Sequence, residues 1–484
     1  MFRSHLNSIF VSHCDDSLFY DVERKQSISY SVFLCDVKKV IEKIQNSYEK
    51  SLDIVSALNN NYTTLVLYFA AFMLGRRLIL IEPLKGKNEF HKMLAISNNP
   101  VIFCDIVGVD SLHFTSEDIN KWIKEELSRN SQYFNLDIET SLIHLSELVT
   151  FTSGTTDVPK AVLHTFDNLA QSAISFSKQM EFDHHNIFIH TFPMCYMAGV
   201  LNSFVLPLFL GGKCVIGERF GINTVFSFWD NVISNDVDVI WFNPTMLEII
   251  TKMFKNKSEE ISKYCVDKKV LGIVATAPLT EESWKNFENI FSLPLYNSYG
   301  LSETLFISTN APKFKNYSSV GKILEGVDVK ILEGSEVGLK VKWRCIGYLN
   351  NNIENNLEGN YYKSGDIGIV NKQMLHITGR IKDLIIRGGL NINPFVIEHI
   401  LKKSIGSNYV IIGAPDRILG EKILMVVEGN KLDTSLRTLN KLLEQELGNE
   451  FKIDEIKTID KIPVNSNGKL DRKNILEKLN DIKN

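Results

Sequence analysis

Short apolar runs of strand length recur along the chain at 78–81, 101–104, 187–191, 237–242 and 270–275. Between them lie stretches such as 38–46 and 245–254, whose apolar residues fall three and four apart, the spacing of a helix with one buried face. That alternation predicts α/β layering around mainly parallel sheet. The most apolar stretch, 64–74, stops at Arg76 and Arg77 and is too short to span a bilayer. It predicts a buried helix followed by a strand over 78–82. From about Gly326 the segments shorten and turn signals crowd in, at Glu333-Gly334, 350–352 and Glu358-Gly359, which predicts a small β-rich subdomain. After Gly379 a β-turn-β pattern meets a helix over 394–404, strands over 409–414 and 423–428, and a helix over 436–447. These make an α+β unit of about a hundred residues, a size that folds alone. The Lys-rich tail, 467–484, predicts a short terminal helix. An Asn-rich loop at 350–356 is the only low-complexity tract, and no repeat is visible.

Composition adds exclusions. The chain has 484 residues, 44% hydrophobic and 23% charged, with a formal net charge of −4. Its Lys and Arg are dispersed, so the electrostatic footprint of a nucleic-acid binder is missing. The seven cysteines, Cys14, Cys35, Cys104, Cys195, Cys214, Cys265 and Cys345, are odd in number and widely spaced. They give neither a zinc pair nor a disulfide framework, and a reducing compartment fits them best. The first residues carry no unbroken apolar core of a secretory signal, so the expected location is cytoplasmic.

The strongest chemical signal is the loop from Thr150 to Lys160. Thr152, Ser153, Thr155 and Thr156 crowd around Gly154 directly after an apolar run, with Lys160 behind them. Backbone N–H groups, hydroxyls and a cation together suit a polyphosphate. It is not a Walker A loop, because Pro159 precedes the lysine and Ala161 follows it. Further along come Asn297-Ser-Tyr-Gly-Leu-Ser-Glu-Thr304, then Tyr362-Lys-Ser-Gly-Asp366, then Gly379-Arg-Ile-Lys382 leading to Gly388-Gly389. Last is Pro463-Val-Asn-Ser-Asn-Gly-Lys469.

In this order the segments resemble the adenylate-forming superfamily, closest to acyl- and aryl-CoA synthetases, from about residue 50 to about 473. The resemblance implies an α/β fold. A large N-terminal adenylation domain of layered α/β subdomains with a small β-rich subdomain would occupy residues 1–381. A small mobile α+β C-terminal lid domain, 382–484, would turn on a hinge at Lys382. It implies ATP, Mg²⁺ and CoA (or the phosphopantetheine of a carrier protein acting in trans) as cofactors and partners of a carboxylic acid substrate. By resemblance Thr152, Ser153, Gly154, Thr155, Thr156 and Lys160 hold phosphates. Ala277, Pro278, Asn297, Tyr299 and Gly300 surround the adenine, with Tyr299 stacked on it, and Ser302 touches phosphate. Glu303, with Thr155, holds the metal. Asp366 accepts the ribose hydroxyls, Arg380 reaches ribose or phosphate, and Gly388 and Gly389 line the thiol tunnel. Lys469 bridges carboxylate and α-phosphate. Tyr196, Gly199, Trp241 and Thr276 would line the acyl pocket.

The sequence departs from the family pattern at Asp157 and Ala161, where glycines are usual, and at Tyr196, where many relatives carry His. Three readings follow: a CoA ligase, a free-standing enzyme loading a carrier protein, and a non-catalytic nucleotide- or acyl-binding regulator. The last is opposed by the presence of every charged residue the chemistry needs.

Overall fold

The structure is a computed structural model that describes residues 2–48, 53–84, 86–106, 113–125, 138, 141–152, 159–350, 352–406, 408–429, 434–463 and 472–481. Among these residues the strands form three sheets. The expected α/β layering is present. Its parallel core consists of Lys213–Ile216, Ile187–His190, Val239–Phe242, Leu271–Val274 and Leu295–Leu301, in that spatial order. Val239–Phe242 is buried at every position, as a strand covered on both faces must be.

The β-rich residues do not stand apart as a separate sheet. Leu295–Leu301 turns back through Leu305–Thr309, and the same sheet continues through Lys322–Ile323, Met374–Arg380, Tyr361–Asn371, Glu336–Val341 and Val327–Ile331. At its other edge it takes in the hairpin Ser17–Asp21 and Gln26–Ser29. That hairpin and the helix Phe2–Ser12 before it have no counterpart in the sequence expectations, because their apolar positions are few and interrupted by polar ones. A second sheet runs Gly347–Tyr348, Lys160–Thr165, Glu147–Thr152, Arg77–Leu80, Asp53–Ala57, Val101–Cys104.

The apolar stretch near 64–74 is the helix Tyr62–Met73, buried on all sides, which is where a helix without a polar face has to go. Asn61 starts it by accepting from Thr64 N. Caps of the same kind begin other helices. Asn243 accepts from Met246 N ahead of Pro244 at the first helical turn, and Thr280 caps Glu281–Phe291.

The third sheet pairs Leu390–Ile392, Ile385–Arg387, Gly420–Glu428 and Tyr409–Asp416, with Glu455–Ile459 parallel to Gly420–Glu428. Helices Pro394–Leu401 and Leu436–Glu446 cover it, and its core is its own. The backbone passes from the large sheet to it through the 3₁₀ turn Ile381–Asp383, in which Lys382 is exposed. All seven cysteines are free. Among the described residues no helix is long and apolar enough to cross a membrane.

Candidate active site

Parallel strands present their carboxyl ends on one edge, where α/β folds place ligands. Here that edge carries two of the segments the sequence singled out, 276–278 and 297–304. Val274 lies beside Asn297 in register, so Thr276, Ala277 and Pro278, which follow one strand, border Tyr299 and Gly300 on the next. Thr276 is a β-branched residue held at φ +77°, an unfavourable conformation of the kind that persists where the surrounding structure imposes it. Asn297 is buried, its carbonyl accepting from Asn310 N at 2.9 Å.

The turn from Leu301 to Leu305 is set by its ends. A Cβ on Gly300 would overlap the Leu305 carbonyl, so only glycine fits there. His164 reaches across from the second sheet and donates from Nε2 to the Ser302 carbonyl at 2.7 Å. Burial pushes this imidazole down to about 4, so it is neutral, and its donation fixes Nδ1 as the unprotonated nitrogen.

Two side-chain sets meet beside this turn. In the first, Asp366 is nearly inaccessible and uses both oxygens: Tyr299 donates its hydroxyl to Oδ2 at 2.6 Å, and Arg380 Nε lies 2.6 Å from Oδ1. Burial, then the Asp366 charge, holds the Tyr299 hydroxyl well above its usual range. Burial works against the Arg380 charge, but Asp366 and Tyr299 outweigh it and raise that group. Asp366 and Arg380 face one another because the antiparallel strands Tyr361–Asn371 and Met374–Arg380 pair them in register.

In the second set, Tyr348 donates to Glu303 Oε1 at 3.0 Å, and its oxygen lies 3.0 Å from the Tyr362 hydroxyl. The Lys160 ammonium sits over the Tyr348 ring, 5.1 Å from its centre. Lys160 forms no ion pair among the described residues. Thr152 pairs with Lys160 across the hairpin that flanks the phosphate-type loop.

The residues expected at the acyl pocket are placed by separate elements. Gly199 packs against the backbone of Pro193 and Met194, and Asn60 holds 192–194 through Phe192 O and Met194 N. This places half-buried Tyr196 at the start of the helix Met197–Val200. Trp241, expected at the acyl pocket, lies in the core at 1% exposed, with Phe176 and Phe306 ring centres at 5.4 and 5.6 Å. Strand alternation points it to the face covered by helix Phe166–Met180, where an aromatic core claims it. Gly388 and Gly389, both at positive φ, form the two-residue turn between Ile385–Arg387 and Leu390–Ile392. Ser153, Gly154, Thr155, Thr156 and Lys469 lie outside the described residues. Sequence reasoning missed Tyr348, Tyr362 as a side chain, and His164.

A cation from the second sheet, the Glu303 carboxylate and a Tyr–Asp–Arg set of the large sheet thus gather around the 301–305 turn. The profile of the AMP-binding enzyme family matches residues 10–343, and the chain belongs to that family. It is an ATP-dependent, AMP-forming ligase that activates a carboxylic acid as its acyl-adenylate. The chain is 26% identical to a 2-succinylbenzoate–CoA ligase of Staphylococcus aureus over 93% of its own length and 94% of that protein's. Its fold superposes on ATP-bound MatB from Rhodopseudomonas palustris with TM-score 0.83, at 19% identity and full coverage of both chains. For the o-succinylbenzoate CoA synthetase of Bacillus subtilis, in complex with an acyl-adenylate intermediate, the TM-score is 0.79 at 20% identity, with 97% of each chain covered.

Proposed function

We propose that this chain makes an acyl- or aryl-CoA thioester, with CoA as the thiol that takes the acyl group from the adenylate. The observation that carries the site assignment is the pair of sets around the 301–305 turn: Tyr299–Asp366–Arg380 for the nucleoside, and Lys160–Tyr348–Glu303 for the phosphates. The CoA ligase relatives, matched over nearly their full length, support the acceptor.

A carboxylate attacking the α-phosphorus of ATP brings two anions together, so catalysis is positioning and charge neutralisation. Tyr299 offers its ring to the adenine, between Gly300 and the Thr276–Pro278 segment. Asp366 keeps a lone pair on each oxygen after its two present bonds, enough to accept a ribose diol once half-exposed Arg380 swings toward the phosphates. Lys160, with the hydroxyls of 152–156, holds the pyrophosphate leaving group, and Ser302 lies beside it. Glu303 fits Mg²⁺ as a hard carboxylate with an oxygen that accepts no bond from a described side chain. Thr155 is its proposed companion, and the ion would neutralise phosphate charge. Lys469 supplies the cation where carboxylate and α-phosphate meet. Rotation of the 382–484 unit about Lys382 removes Lys469 and admits the thiol past Gly388 and Gly389. The acid is proposed to lie against Tyr196, Gly199 and Thr276.

The test is pyrophosphate release from ATP and Mg²⁺ over fatty, aryl, short-chain and amino acids, each with and without CoA. Release that depends on one acid class, with the CoA thioester detected by mass in the same tube, is the expected result. Adenylate without thioester would replace CoA by a carrier protein. Silence across the panel with ATP still bound would refute the reading.

A further inference from the structure

The Asn-rich stretch beginning at Asn350 has no role in the chemistry above, yet the structure stitches the segment leading into it to both halves of the phosphate site. Cys345 N donates to the Glu303 carbonyl at 2.8 Å, and Gly347–Tyr348 adds a short strand against Lys160–Thr165. Asn350 then grips the backbone on either side of Lys160: its Nδ2 donates to Pro159 O at 2.8 Å, and its Oδ1 accepts from Ala161 N at 3.0 Å.

Between these anchors stands Tyr348, with its ring face under the Lys160 ammonium and its hydroxyl on Glu303. Its single proton goes to the carboxylate, so the Tyr362 hydroxyl, 3.0 Å away, donates to Tyr348. The relay runs Tyr362 to Tyr348 to Glu303 Oε1, each bond polarising the next. It leaves the other Glu303 oxygen without a described partner. The ring thus has the Lys160 ammonium over its face and the Glu303 carboxylate at its hydroxyl, and these two charges form no ion pair among the described residues.

We propose that Tyr348 is a positioning residue that aims the Glu303 carboxylate at the divalent cation and spaces it from Lys160, with Tyr362 and Asn350 holding it in place. The inference rests on the proposed metal role of Glu303.

The experiment uses full-length Tyr348→Phe, Tyr362→Phe and Tyr348→Leu. Two readouts are taken: Mn²⁺ binding in the presence of a non-hydrolysable ATP analogue, followed by water-proton relaxation, and the Mg²⁺ dependence of acid-dependent pyrophosphate exchange. Tyr348→Phe keeps the ring and loses one hydrogen bond to a charged group. It should weaken Mn²⁺ binding on the order of tenfold, with the KM for the acid unchanged. Tyr362→Phe should shift it in the same direction by less. Tyr348→Leu, which removes the spacer, should also raise the KM for ATP. Combining Tyr348→Phe with Glu303→Gln should be no worse than Glu303→Gln alone. Loss of activity in Tyr348→Phe with unchanged Mn²⁺ affinity would make the residue merely structural and overturn the proposal; an unstable Tyr348→Phe leaves Tyr362→Phe to decide on the same readout. Should Glu303→Gln itself leave Mn²⁺ binding unchanged, the metal assignment fails instead, which is a separate result.

Discussion

Asp366 and Arg380 share one ion pair but stand in unequal surroundings, and the inequality sets a measurable asymmetry. The Asp366 side chain is 2% exposed and that of Arg380 37%. In Arg380→Ala the carboxylate stays buried with only the Tyr299 hydroxyl on it. Breaking a buried pair from one side costs about 3–5 kcal/mol, and the retained hydroxyl puts this case near ~3 kcal/mol. In Asp366→Ala the guanidinium can turn to water, so the loss is that of charge-assisted hydrogen bonds, about 1.5 kcal/mol. The double variant leaves no buried charge and should resemble Asp366→Ala. It is therefore expected to be more stable than Arg380→Ala by about 1.5 kcal/mol. Urea unfolding followed by tryptophan fluorescence measures this, because Trp241, Trp284 and Trp343 are all buried. All three variants should bind ATP more weakly, so the ranking of stability and that of nucleotide affinity need not agree. If Arg380→Ala is no less stable than Asp366→Ala, or if the double variant loses the sum of the two, the burial argument is wrong.

Lys469→Ala should slow adenylation on the order of a hundredfold, as removal of a cation worth ~2.7–4 kcal/mol implies, with little change in ATP binding. Equal adenylation rates in variant and wild type would remove Lys469 from the reaction. Lys382→Pro, which fixes a torsion in the connecting turn, should leave adenylate formation intact while blocking thioester formation, as separate assays of the two half-reactions would reveal. His164 and His190 are buried, and desolvation holds both down to about 4. The folded state therefore binds fewer protons than the unfolded chain below pH 6.5, and stability present above 6.5 is lost as pH falls toward 4. Among the described residues neither ring nitrogen of His190 makes a well-formed hydrogen bond, the Gly199 backbone being its nearest polar neighbour, so His190→Leu should cost little at pH 7 and remove its share of that acid loss, leaving the part due to His164. A wild-type unfolding midpoint that is flat between pH 6.5 and 4.5 would contradict it.

The sequence by itself determined the α/β layering and the family. Strand-length runs such as Val239–Phe242 and the all-apolar helix Tyr62–Met73 can satisfy their surfaces in few ways, so local pattern was enough. The family was legible because its motifs restrict residue type in a fixed order: a lysine behind a hydroxyl-rich loop, then a carboxylate after a Tyr-Gly turn. Only the tertiary structure decided which side chains share a site and which serve the core. Trp241 and Tyr196 look equally available in sequence, yet strand alternation turns Trp241 toward Phe176 and Phe306, while the helix start at Met197 leaves Tyr196 half-buried. Tyr348 carried no signal, because its meaning depends on Lys160 and Glu303, 188 and 45 positions away in the numbering. Pairing between Gly347–Tyr348 and Lys160–Thr165 closes that distance. Such non-local pairing rests on backbone hydrogen bonds common to every residue type, so composition and periodicity leave no trace of it.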